Sequence, residues 1–229
     1  MSLDKSKTDC KLGKKIQNHL IELGIETPMN LEDPLYTEAS QKKIDLITSK
    51  YDDIMRIMGL NLKDDSLMDT PRRLAKMYVN ELFWGLSPDN FPKCTTVENK
   101  MSYDEMVLVK GISVSSCCEH HFQSISGHAT IAYFPEKNVL GLSKFNRVVE
   151  YFSRRPQVQE RLTCQIFHSL SLILNTSNVA VLIDAEHGCV RCRGIEDLNS
   201  STITSKIGGI FKEKDSTRAE FMANAGKLR

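Results

Sequence analysis

No run of apolar residues in this sequence approaches the ~20 needed to cross a bilayer, which argues against an integral membrane protein. The opening residues, MSLDKSKTDCKLGKK, also lack the apolar stretch of a secretory signal. Nothing there points to an oxidising compartment, and the cytoplasm is the expected location. An excess of charge is missing as well: 30 lysines and arginines against 29 aspartates and glutamates leave a net charge of +1. Such a chain offers no global field to nucleic acid, so any anionic ligand must be held by a local cluster of cations. Internal repeats and low-complexity tracts are absent. The seven cysteines are odd in number, and in a reducing compartment thiols serve more often as metal ligands, reactive groups or core filler than as disulfides. No structural disulfide is expected.

What is present is the composition of an ordinary globular protein, 41% hydrophobic and 26% charged over 229 residues. Residues 1–40 are polar with little period, apart from a weak helical stretch at KKIQNHLIELGI, and read as a variable, partly disordered extension. From residue 41 to 98 the pattern is helical. Ile44, Ile47, Tyr51, Ile54, Met55 and Met58 mark one amphipathic face. A second helix starts at DTPRRLAKMY, where Asp69 or Thr70 can cap, Pro71 fits the first turn and Gly85 can end it. Leu74, Met77, Tyr78 and Leu82 share its apolar face, which leaves Arg72, Arg73 and Lys76 free to meet a ligand.

Residues 99–229 carry the strands and the remaining helices. MVLVKGISVS and GHATIAYF have the period and β-branched content of strands. GLSKFNRVVEYFSRRP and QVQERLTCQIFHSLSLILN read as helices, the second burying Val158, Leu162, Ile166, Leu170 and Ile173. VAVLIDAEHGCV returns to strand, and STRAEFMANA closes the chain as a short helix. The order predicts an α+β fold with antiparallel pairing, because a short connection joins the first two strands.

The chemistry is concentrated in SSCCEHHFQ, residues 115–123. Zinc takes nitrogen and sulfur donors in a tetrahedron, and two ligands three residues apart can chelate from one turn. The sequence offers Cys118-x-x-His121, the offset pair Cys117-x-x-His120, and far downstream Cys189-x-x-Cys192. Small structural zinc modules separate their pairs by roughly 12–20 residues, whereas here residues 122–188 intervene. If the segment around His187 is extended, His187 and Cys189 share a face with Arg191 and Arg193, and Cys192 faces away. That geometry leaves three protein ligands and an open position. Spacing alone leaves three readings standing: catalytic three-ligand zinc, structural four-ligand zinc, and unpaired core cysteines.

DTPRRLAKMY, CEHHF, GLSKFNRVVEYFSRRPQVQERLT and HGCVRCRGI, in this order, resemble the motifs of the GTP cyclohydrolase I family across about residues 40–225. The resemblance implies a zinc-dependent enzyme that hydrolyses C8 of GTP to give 7,8-dihydroneopterin triphosphate and formate, the first step of tetrahydrofolate and pterin biosynthesis. It implies the tunnelling fold, an antiparallel four-stranded sheet with two helices on one face, preceded by a helical N-terminal part. It further implies a homodecamer with active sites at subunit interfaces. Within the same fold, a nitrile reductase acting on a queuosine precursor is the rival. A zinc-stabilised binding module without turnover is the rival from another class.

By the same resemblance, Cys118, His121 and Cys189 hold Zn2+, with Cys117 and Cys192 as bystanders. His120 and His187, each beside a ligand position, serve acid/base steps, and Ser143 joins them as a catalytic residue. Glu160 accepts the N1 and 2-amino hydrogens of guanine, a bidentate pairing that adenine cannot reproduce, with Gln159 next to it. Ser143 and Lys144 sit at a helix N-terminus, where unpaired N–H groups favour anions, and Arg147 lies one turn on. Arg193, Arg73 and Lys76 complete the cationic set, and the phosphate grip is expected to cross a domain or subunit boundary. Glu119 is expected to point away from the chemistry.

Overall fold

The structure is a computed structural model that describes residues 4–226. The first three residues of the expected 1–40 extension and the last three of the chain lie outside the described residues. The helices in chain order are α1 (Cys10–Glu22), α2 (Pro34–Thr37), α3 (Ser40–Ile57), α4 (Thr70–Lys76), α5 (Leu142–Ser153), α6 (Gln159–Leu174), α7 (Gly188–Arg191), α8 (Ile210–Glu213) and α9 (Asp215–Ala225). The strands are β1 (Thr96–Glu98), β2 (Val107–Cys118), β3 (Ser124–Tyr133), β4 (Asn138–Leu140), β5 (Pro156–Gln157), β6 (Val179–His187) and β7 (Thr202–Ile207). The chain divides into two compact units, residues 28–84 and residues 4–27 with 85–226.

The first unit is helical. On α3 the apolar stripe turns Ile44 and Met55 inward, while Ile54 and Met58 of the expected face are exposed. Ile54 is rotated off the centre of the stripe, and Met58 is the cap beyond the last turn. Asp69 caps α4 without a side-chain bond, and Pro71 occupies the first turn as expected. The helix does not run on to Gly85 as α-helix: it widens to a π-helical segment over Met77–Leu82. Tyr78 of that segment stacks on Tyr51 with ring centroids 5.8 Å apart.

The second unit carries the sheet, in the order β5-β2-β3-β6-β7. Its four long strands are antiparallel, and β5 adds two residues in parallel beside Cys117 and Cys118. This is the expected four-stranded antiparallel sheet with a short fifth strand appended. α5 and α6 cover one face. They bury Phe145, Val148, Val149, Phe152, Leu162, Ile166 and Leu170 against Ile112, Val114, Ile125, Ala129, Ile131, Val181 and Ile183. Of the residues expected on the buried face of the longer helix, Val158 precedes α6 as its cap and Ile173 is only half-buried. A second, smaller core packs Phe211 and Phe221 from the C-terminal helices on Ala132 and Ala180.

α1 overlaps the weak helical stretch read at KKIQNHLIELGI within residues 1–40. It is capped by Asp9, buries Ile16 and Leu20, and lies in the sheet-bearing unit. Two apolar residues one turn apart gave a weak period, but both are fully removed from water. Gly13 allows the close approach, since a Cβ there would sit 2.0 Å from Pro88 O.

Candidate metal centre

The β2–β3 hairpin places the first two donors. Cys118 closes β2, its N–H donates to Gln123 O at 2.8 Å, and the Phe122 N–H donates back to Cys118 O at 2.8 Å. Phe122 adopts φ +52°, an uncommon conformation for a bulky residue and one that lets Glu119–Gln123 turn so tightly. The third donor comes from beyond β6. The strand ends at His187, and Gly188–Arg191 is a helical turn. The expectation that His187, Cys189, Arg191 and Arg193 share one face of an extended segment is therefore incorrect. Gly188 is buried against Ser124, so the chain bends away at the edge of the hairpin rather than continuing the ladder.

Through that bend the donor atoms of Cys118, His121 and Cys189 all come within 4.8 Å of one another. Cys118 is buried, Cys189 half-buried and His121 exposed. Burial raises the Cys189 thiol above its ordinary value, and the adjoining Cys118 sulfur raises it further while Arg193 lowers it. Two thiolates this close repel unless a cation lies between them. A sulfur-rich, nitrogen-completed set of three fits a zinc-like divalent ion with a position open to solvent. Cys192 is exposed, and Cys117 is buried with its thiol pushed up to about 11.

Around this group stand both expected imidazoles. His120 is exposed, with Nδ1 4.0 Å from Cys118 Sγ. His187 Nε2 lies 2.8 Å from Gln159 Oε1. Burial lowers the His187 pKa, and the charge of Glu160 partly offsets this. Glu160 itself is exposed on the first turn of α6. Arg193 is exposed and close enough to Cys189 to act on its thiol.

Gln159, expected to contact substrate next to Glu160, turns its side chain into the core. It is 1% exposed, and its Nε2 donates to Ile183 O at 3.1 Å, Thr202 O at 2.8 Å and Thr204 Oγ1 at 3.1 Å. With the amide nitrogen so engaged, Oε1 faces His187 and accepts from Nε2–H, which leaves Nδ1 as the unprotonated nitrogen of the neutral ring. Gln159 orients an imidazole from within the core. Glu119, expected to point away from the chemistry, makes a two-pronged ion pair with Arg161, Nη2 to Oε1 at 3.3 Å and Nη1 to Oε2. Nothing local in the sequence marks that pair, whose members stand 42 residues apart.

Ser143, Lys144 and Arg147 are on the first turns of α5, where Lys144 and Arg147 both act on Cys94. Phe145 packs on Tyr133 at 5.5 Å, at the end of β3 where Tyr133 pairs with Val107. The metal group is at the opposite end, where Ser124 pairs with Cys117. The length of β3, roughly 30 Å at ~3.3 Å per residue, separates the two ends within one chain. Arg73 and Lys76 are exposed on α4 of the helical unit.

The family model for GTP cyclohydrolase I matches residues 47–226. A protein named GTP cyclohydrolase 1 from Shewanella loihica is 52% identical over 211 residues, covering 92% of this chain and 97% of the relative. The protein of the same name from Escherichia coli O1:K1 / APEC is 51% identical over 207 residues, covering 90% and 92%.

Proposed function

Since the chain belongs to the GTP cyclohydrolase I family, we propose that it hydrolyses GTP at C8, opening the imidazole ring to give 7,8-dihydroneopterin triphosphate and formate at the head of tetrahydrofolate and pterin biosynthesis. The convergence of Cys118, His121 and Cys189, with two imidazoles and a carboxylate beside them, carries this reading. These three residues would hold Zn2+. When bound, the ion supplies Lewis acidity for activating water near neutral pH, tempered by two thiolates that offset its charge.

The chain's own groups supply the rest. His120 gives a proton to the purine nitrogen that gains electron density as C8 is attacked. His187, held through Nε2 by Gln159, presents Nδ1 to the ring-opened intermediate and the later sugar rearrangement. Glu160 accepts the paired guanine N–H groups and fixes the base. Ser143, Lys144, Arg147, Arg193, Arg73 and Lys76 receive the triphosphate, with the α5 N–H groups adding to the first three.

The separation of the α5 start from the metal end favours a site assembled from two copies of the chain, in keeping with a homodecamer. The sheet has a long strand at each side, β7 at one edge and β2 capped by only two residues at the other, and such edges favour pairing between copies. No helix among the described residues is long and apolar enough to cross a membrane. The test is to incubate zinc-loaded protein with GTP and assay formate, and to look for a fluorescent pterin after oxidation. Formate without a pterin, or neither, overturns the reading, as would NADPH oxidation with a nitrile substrate.

A further inference from the structure

The family match begins at residue 47, yet residues 4–27 belong to the sheet-bearing unit. Beyond the apolar burial of α1, a buried charge anchors their C-terminal end. The side chains of Glu26 and Arg155 keep 6% and 1% of their surface exposed, and Arg155 Nη1 donates to Glu26 Oε1. Arg155 Nε donates to Gly85 O at 2.7 Å, and the guanidinium lies over Tyr151 and Phe152, 4.7 and 4.8 Å from the ring centroids. Fully buried Gln165 donates to Ile25 O at 2.9 Å and to Glu26 Oε1 at 3.3 Å. Gln165 Oε1 accepts from Gln157 Nε2 at 2.8 Å. Gln157 is the β5 residue paired with Cys118, and its carbonyl accepts the Glu119 N–H at 3.0 Å. An unbroken polar path therefore runs from residues 25–27 to the backbone on which the ligand turn rests.

A two-residue strand does not hold its own place. The side chains of Arg155 and Gln157 fix β5, and Glu26 is the counter-charge that lets Arg155 stay buried. Removing one partner of a buried pair leaves an uncompensated charge that must move toward water. We propose that residues 25–27 are a positioning brace for the metal-binding turn. Glu26, through Arg155 and Gln165, holds Gln157 against Cys118 and Glu119, and so sets the affinity of the Cys118–His121–Cys189 group for a divalent cation. The proposal rests on the reading of that group as a metal site. Supporting partners behind metal ligands are worth roughly 10–100-fold in affinity.

The test titrates the full-length protein with Co2+, following the thiolate-to-cobalt charge-transfer band. It compares wild type, Glu26→Gln, Arg155→Lys, and Asp9→Ala, which removes the α1 cap bond to the Leu12 N–H without touching the path. Glu26→Gln is expected to weaken Co2+ binding about tenfold or more, and Arg155→Lys to weaken it less. Asp9→Ala should lower the melting temperature with Co2+ affinity unchanged, which separates the brace from a general loss of stability. A folded Glu26→Gln protein with wild-type Co2+ affinity overturns the brace and leaves the metal site standing. If Glu26→Gln does not fold, Arg155→Lys decides on the same criterion. A wild type that binds Co2+ without the thiolate band overturns the metal-site reading, and the brace with it.

Discussion

Three residues along a helical turn is the nearest place from which a second thiol could compete for the metal, and Cys192 stands there relative to Cys189. Side chains so spaced lie on neighbouring faces, so local geometry does not separate the two. The placement of Cys189 beside the hairpin does. Cys189→Ser is expected to abolish stoichiometric zinc and activity together, whereas Cys192→Ser keeps both, as measured by metal analysis of purified protein. For Glu160→Ala, loss of two charge-assisted hydrogen bonds should weaken GTP binding by about 2–4 kcal/mol, read by calorimetry. His168 bears on stability. Burial, aided by Lys206 and His19, lowers its pKa below 6.5 in the fold. The unfolded chain therefore takes up a proton first as pH falls below that value, and stability contributed above it is lost through the window down to the folded pKa. Urea midpoints of metal-free protein should be flat above pH 7 and fall below pH 6.5, with a shallower fall in His168→Gln.

At the scale of elements, periodicity located the long ones. β2, β3, β6, α5 and α6 lie where alternation and helical spacing put them, because each buries one face against the same core. Ile166, fully buried on α6, belongs to that core; its replacement by alanine should cost about 2–5 kcal/mol in chemical denaturation while leaving metal content intact. Short elements escaped. β5 has two residues and α7 four, too few for a period, and both owe their shape to neighbours: β5 to Arg155 and Gln157, α7 to the Gly188 contact with Ser124. α1 showed only a weak helical period, since its burial depends on Phe91 and Pro88, far away in sequence.

For the whole molecule, a net charge of +1 rules out long-range steering by total charge, so capture of a triphosphate falls to a local concentration of lysine and arginine. Ser143, Lys144 and Arg147 lie at the opposite end of the sheet from the metal group, which has an assembly-level consequence. Lys144→Ala and Cys189→Ser proteins, each inactive alone, should recover a fraction of wild-type activity when mixed and allowed to exchange subunits. Recovery would come from sites that draw α5 from one copy and the metal group from another. The same preparation should sediment well above the 25.9 kDa of a single chain.

The sequence by itself determined the fold class, the extent of the main helices and strands, and the donor types available for a metal, because all of these are carried by local pattern and residue chemistry. It also brought Cys118 and His121 within reach of one ion, since three residues of one turn span no more than that. Only the tertiary structure brought the Cys189 sulfur beside Cys118 and His121, turned the Gln159 side chain into the core against His187, and paired Glu26 with Arg155 far along the chain. Each of these depends on groups distant in sequence meeting across the sheet unit, and no local period records a contact whose partner arrives from elsewhere.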